Sequence, residues 1–156
     1  MITFERDNNK FNFRVAGIAI HNNRILLHTT EKDDFWNLPG GRVEFNESTD
    51  QTIKREIKEE LDIEVQMSKL LFVNEDFFEY EDKHYHEIGF YYLIDFPDGH
   101  EVFKKVGEFK GIEDNGRLVF KWFLLDELID LNVYPEMLKT ELIKLKDQNK
   151  IQHFIY

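Results

Sequence analysis

Residues 38–63 constrain this chain more than any other stretch, because a segment that cannot be helical runs directly into one patterned to be a helix. In Leu38-Pro39-Gly40-Gly41 the proline and paired glycines exclude helix and favour an unusual backbone path. Ser48, with Gln51 three residues on, has the form of a capping box, and Ile53, Ile57 and Leu61 recur every four residues. A helix is predicted over 48–61, ending at Asp62. At roughly 100° per residue, Glu56, Glu59 and Glu60 share one face of it, flanking the apolar stripe, with Gln51, Lys54 and Lys58 on the other side. Glu56 and Glu60 are like charges one turn apart, a repulsion of roughly a few tenths of a kcal/mol, more when desolvated, that a bound cation would relieve. Acidic trios are also common on solvated helix faces, so this spacing alone does not decide between metal site and surface.

Around this segment the pattern mixes strands and helices. Residues 13–20 and 24–29 flank the polar turn His21-Asn22-Asn23 and predict a β-hairpin. Further strands are predicted within 63–80 and 85–96, with a turn at Glu81-Asp82-Lys83, and over 118–125. Pro135 is placed at the first position of an amphipathic helix running through Leu138, Leu142 and Leu145 to residue 147, structural or dimer-forming rather than catalytic. The segment 97–116 has four glycines and little periodicity, and loops of that length are usually functional or mobile. There is no repeat, low-complexity tract or Pro/Ser-rich linker, so residues 1–156 are expected to form a single domain.

An apolar fraction of 42% with 15% aromatic residues indicates a folded chain, and zero cysteines exclude disulfides, thiolate metal sites and a cysteine nucleophile. Residues 1–13 lack the basic-then-apolar order of a secretory signal, and no apolar run approaches the roughly 20 residues that span a bilayer. A soluble cytoplasmic protein is expected. A net charge of −11 opposes attraction to nucleic-acid polymers or anionic membranes. A small anionic substrate is compatible with that charge if divalent ions stand between carboxylates and phosphates.

Read in order, the central segment is Gly41, five residues, Glu47, seven residues, then Arg55-Glu56-Ile57-Lys58-Glu59-Glu60-Leu61-Asp62-Ile63. It resembles the Nudix box, GX5EX7REUXEEXGU, where U is a bulky apolar residue. Asp62 stands in place of the usual glycine, and Asn46 where a glycine is frequent. The first glycine caps the helix at positive φ, which Asp tolerates better than most residues. The lead-in Phe35-Trp36-Asn37-Leu38-Pro39-Gly40 is also similar to the family's approach to the box. The resemblance implies the family's α/β/α sandwich, with a mixed, curved sheet between helices. It implies a pyrophosphohydrolase acting on a nucleoside triphosphate, ADP-ribose or other nucleotide sugar. Glu56, Glu59 and Glu60, the catalytic acids, would hold Mg²⁺ or Mn²⁺ with the Gly40 carbonyl, while Glu47 and Arg55 support the loop–helix geometry. Oxygen ligands suit such hard ions. The general base is left open between Glu56 and a loop acid such as Glu101, Glu108 or Glu113. The alternative is a Nudix domain that binds a nucleotide-like ligand without turnover; a structural metal-binding or interaction module is a third reading.

Outside the box, Glu87, in a strand of aromatic and aliphatic residues, is a candidate for contact with substrate or metal, or faces outward. Arg14 and Arg42 are candidates to pair with substrate phosphates, against scaffold ion pairs. His84 and His86 share a strand face, more readily as surface histidines than as a metal pair. Phe35, Trp36, Phe77, Phe78 and Trp122 are available for base stacking, although strand aromatics are mostly core. The expected partner is a small nucleotide, with a homodimer possible and no membrane.

Overall fold

The computed structural model describes residues 1–147 and 150–156. Among the described residues, eleven strands form one mixed sheet: β1 (Thr3–Arg6), β2 (Asn9–His21), β3 (Arg24–Thr29), β4 (Trp36–Asn37), β5 (Gly40–Arg42), β6 (Met67–Tyr80), β7 (Lys83–Asp95), β8 (Phe109–Lys110), β9 (Val119–Leu124), β10 (Val133–Tyr134) and β11 (Gln152–Ile155). Along the sheet the order is β10-β4-β3-β2-β7-β6-β11, with β1 and β5 also on β2, and β9 on β3. β2 is the spine. One edge pairs in parallel with β7 from Asn9 to Ala19, and the other is shared by β1, β5 and β3.

The β2–β3 and β6–β7 hairpins turn where expected. Asn22 and Asn23 both take positive φ, as do Glu81 and Asp82, which matches the twist a two-residue hairpin turn needs. Three stretches read differently in the sequence. No element is predicted before residue 13, yet residues 3–12 supply β1 and the start of β2. The strand sought within 63–80 begins at Met67, because Ile63 and Val65 pack into the core before pairing starts. The helix expected from Pro135 is an α-turn, α2 (Leu138–Glu141), continuing as a 3-10 segment over Leu142–Asp147. Leu142 and Leu145 are three residues apart, a spacing that 3-10 winding holds on one side, and both pack on the sheet.

Alternation along β2 divides the core. Val15 and Ala19 face one layer with Ile53 and Ile57, while Ala16 and Ile18 face the other with Leu38, Met137, Leu138 and Leu142. The first layer is covered by helix α1 (Thr49–Leu61). Ser48 and Gln51 form the capping box, and Asp62 ends the helix at φ 56°, ψ 37°, its N–H bonded to the Lys58 carbonyl. Asn46 likewise has positive φ, so both residues standing at the box's glycine positions adopt the conformation glycine would. No helix among the described residues is long and apolar enough to cross a membrane.

Candidate active site

α1 lies beside β5, and the acids of its inner face meet the Gly40-Gly41 strand. Gly40 has φ 149°, and a Cβ there would lie 2.1 Å from the Val15 carbonyl oxygen, so only glycine allows β5 to pair with β2 this closely. A Cβ on Gly41 would lie 2.3 Å from the carboxyl carbon of Glu56. The space a side chain would fill is occupied by that carboxylate. Behind the loop, Arg14 Nη2 and His28 Nε2 each donate to the Leu38 carbonyl at 2.9 Å. Burial, and then the neighbouring Arg14 charge, pull the His28 ring down to about 3. It is therefore neutral, with its proton on Nε2.

Arg55 organises the acids. Its Nε and Nη2 grip Glu47 at 2.7 and 3.0 Å, and Nη1 reaches Glu56 at 2.7 Å and Glu59 at 3.2 Å. Nη2 also donates to the Arg42 carbonyl at 3.1 Å, joining helix to strand. Glu47 further accepts from the Glu44 N–H and the Thr52 hydroxyl. The Arg55 bonds hold its carboxyl at about 2, well below the ordinary value, despite partial burial. Glu56 moves the other way, since burial raises it more than Arg55 lowers it.

Glu60 is the most enclosed, at 2% exposure. Burial raises its pKa to about 8 against the opposing field of Arg14, with Glu56 and Glu113 adding like charge. It accepts from the Gly40 N–H, while its Oε2 has no hydrogen-bond partner. Its backbone carbonyl accepts from the Ile112 N–H at 2.9 Å, tying the 97–116 segment to the end of α1. That segment is built from short pieces, among them 3-10 turns at Glu101–Lys104 and Glu113–Asn115. Of its candidate bases, Glu113 is the one whose charge acts on Glu60.

The structure thus brings Gly40, Glu47, Arg55, Glu56 and Glu60 together, with Glu59 at the exposed rim. Among the described residues, however, no three His, Asp or Glu side chains stand in a group able to hold a metal ion. Arg55 draws Glu56 and Glu59 to itself, and Glu60 turns to Gly40. Arg14 sits between these acids and Glu87, and its charge acts on Glu56, Glu60 and Glu87 alike. Arg42, opposite Arg14 in register, extends to the Met1 sulfur. His84 pairs with Glu79, and His86 stacks on Phe77, so they form no metal pair. Of the candidate stacking aromatics, Trp122 is core; Phe77 is 54% exposed, but on the opposite sheet face from Arg14. Sequence reasoning missed His28, Asn12, Asn74 and Asp76. Asp76 had a signal: a turn at Glu81-Asp82 places it opposite Glu87.

The model of the NUDIX domain matches residues 11–142, and the chain belongs to that family. It is 27% identical over 123 residues to an 8-oxo-dGTP diphosphatase of Buchnera aphidicola subsp. Schizaphis graminum, an alignment covering 76% of this chain and 82% of that protein. It is 39% identical over 59 residues to a putative ADP-ribose pyrophosphatase of Bacillus subtilis, but that covers 38% of this chain and 28% of the relative. Among solved structures, a MutT NUDIX hydrolase from Burkholderia pseudomallei superposes with a TM-score of 0.57 at 27% identity, over 74% of this chain and 84% of that one.

Proposed function

We propose that this protein is a divalent-metal-dependent hydrolase that cuts the pyrophosphate linkage of a nucleoside triphosphate, ADP-ribose or another nucleotide sugar. The observation that carries the reading is Glu60: a carboxylate with one buried oxygen unpartnered, beside Gly40, in a helix whose other acids crowd the same strand. Nudix hydrolases generally use divalent metal ions. The donors here suit Mg²⁺ or Mn²⁺, being carboxylate and carbonyl oxygens only. Glu56, Glu59, Glu60 and the Gly40 carbonyl would hold the metal once Glu56 and Glu59 rotate away from Arg55. When bound, the metal neutralises the diphosphate and activates a water for attack at phosphorus.

The protein's own part is positioning. Arg55 and Glu47 lock the helix to the loop, so the Glu56 and Glu60 backbones are fixed relative to Gly40 before any ligand arrives. Arg14 and Arg42, adjacent across β2 and β5, place two cations at the mouth of this site for the substrate's phosphates, and Glu87 lies beyond them on the sheet. The names of the relatives support the same two substrate classes.

The test is product release from a panel of nucleoside triphosphates, oxidised triphosphates and nucleotide sugars with Mg²⁺ or Mn²⁺, for the wild type and Glu59→Gln. Metal-dependent turnover, reduced about 10²-fold or more by the substitution, is expected. Nucleotide binding without turnover on any compound would move the protein to the ligand-sensing reading.

A further inference from the structure

The loop that carries Gly40 has little stiffness of its own and is held from behind. Leu38 precedes a proline, so the peptide between them has no N–H, and hydrogen bonds can fix its plane only through the Leu38 carbonyl. Gly40 and Gly41 follow, the residue type least able to hold a backbone direction by itself. The Pro39 carbonyl accepts from the Gly17 N–H at 2.8 Å, and the Gly40 N–H is engaged by Glu60. Leu38 is held differently. Its carbonyl takes two side-chain donors, Arg14 Nη2 and His28 Nε2, each at 2.9 Å.

Histidine is poorly suited to a purely structural role at position 28. The residue is 8% exposed, and with its proton on Nε2 the Nδ1 acceptor is buried without a hydrogen-bond partner. An apolar side chain would leave no such orphan. Nor is His28 needed to satisfy the carbonyl, because Arg14 already supplies a donor. What the second donor adds is direction: a carbonyl oxygen held at both lone pairs has the tilt of its peptide plane fixed, whereas one bond lets it rock. The ring is itself firmly placed. β3 meets β4 at one register position, His28 opposite Asn37, immediately before the loop, and it pairs His28 in β9 with Phe120, whose ring lies 5.5 Å away. Phe120 leads to the other arm of the site. A Cβ on Gly111 would lie 2.7 Å from its ring and 2.8 Å from the Glu60 carbonyl oxygen. One packed line therefore runs from the Leu38 carbonyl through His28, Phe120 and Gly111 to the backbone of Glu60.

We propose that His28 is a positioning residue for the metal site: its Nε2–H, together with Arg14, fixes the Leu38 peptide plane and through it the Gly40 carbonyl, two residues on, relative to Glu60. His28 bonds to neither residue and acts through Leu38-Pro39-Gly40. The inference rests on the hydrolase reading, which makes the Gly40 carbonyl and Glu60 ligands of one ion. An effect of this kind falls on metal affinity and turnover number rather than on fold stability or nucleotide affinity, because only the spacing of two ligands changes. Groups that orient a metal ligand are typically worth about 10–100-fold in metal affinity or activity.

Mn²⁺ binding to the full chain, followed through the paramagnetic resonance of the free ion, tests this beside kcat, KM and denaturant unfolding. His28→Leu fills the site without a donor, and His28→Gln keeps an N–H donor at a similar reach. The leucine variant is expected to weaken Mn²⁺ binding about 10-fold or more and to lower kcat, with nucleotide KM within about twofold of wild type and the unfolding midpoint unchanged or raised. His28→Gln is expected to return Mn²⁺ affinity to within about threefold of wild type. Should His28→Leu fail to fold, His28→Met, flexible and equally without a donor, takes its place. The proposal is overturned if the donor-free variant binds Mn²⁺ as wild type does, or if His28→Gln loses as much affinity as His28→Leu. A wild type that binds Mn²⁺ but hydrolyses nothing would sink the hydrolase reading and leave the comparison at His28 standing. One that binds no Mn²⁺ overturns both.

Discussion

Two groups of acids flank Arg14, and they are held in opposite ways. On α1, one guanidinium serves Glu47, Glu56 and Glu59 through charge-assisted bonds, and Glu47 is driven down to about 2. On the sheet, Glu87 and Asp76 face each other with one asparagine amide and one backbone N–H between them, and both are raised. The first group is compensated from within, and its Glu47–Arg55 pair ties the helix to the strand before it. The second has no ion pair among the described residues, and only the more distant charges of Arg14 and Arg42 act on Glu87. Glu60 belongs to the α1 group by position but, like the sheet acids, has its pKa raised by burial. Arg14 lies between the two groups, and its charge acts on Glu56, Glu60 and Glu87 alike.

The largest test of this contrast is Glu56→Gln. If the α1 acids serve the reaction, kcat/KM for metal-dependent hydrolysis should fall by about 10²–10⁴-fold. An unchanged value would reduce the cluster to scaffold. Glu47→Gln probes the scaffold itself, and loss of its bonds to Arg55 should cost about 2–3 kcal/mol in denaturant unfolding at neutral pH. Because the folded Glu47 pKa is depressed, that stabilisation is present above the ordinary value of 4.5 and lost as pH falls toward 2, so the two unfolding curves should converge there. Glu60 has the reverse sign. Its folded pKa is raised to about 8, so its contribution in metal-free protein is full below 4.5 and lost as pH rises through 8. Thermal melts of metal-free Glu60→Gln should show a flatter pH profile over that window, and a parallel profile would contradict the burial argument. The smallest effect is expected at Asp62→Gly, which relaxes a positive φ away from both groups. Roughly 0.5–1 kcal/mol of added stability with unaltered kcat/KM is expected.

How much was legible depended on sequence distance. The capping box, the αL cap at Asp62 and the gathering of Glu47, Arg55, Glu56 and Glu60 near Gly40 span about two dozen residues, and helix periodicity orders most of them. The hairpin turns were equally local. The 3-10 winding after Glu141 escaped because apolar spacings of three and four occur together in 138–145, and only packing on the sheet selected one. β1 and the parallel β11 escaped because polar edge strands carry no alternation that separates them from loops.

By itself the sequence determined the family, the helix with its capped ends, and which side chains its inner face would present, since each follows from contacts within a turn or two of backbone. Only the tertiary structure decided that Arg55 would hold Glu56 and Glu59 apart from Glu60. It also decided that Ile112 would anchor the distal loop to α1, and that Asn12, Asp76 and Glu87 would share a row. Those outcomes depend on strand order and register across 75 residues of chain between Asn12 and Glu87. A parallel pairing such as β2 with β7 leaves no turn between its strands from which its register could be read.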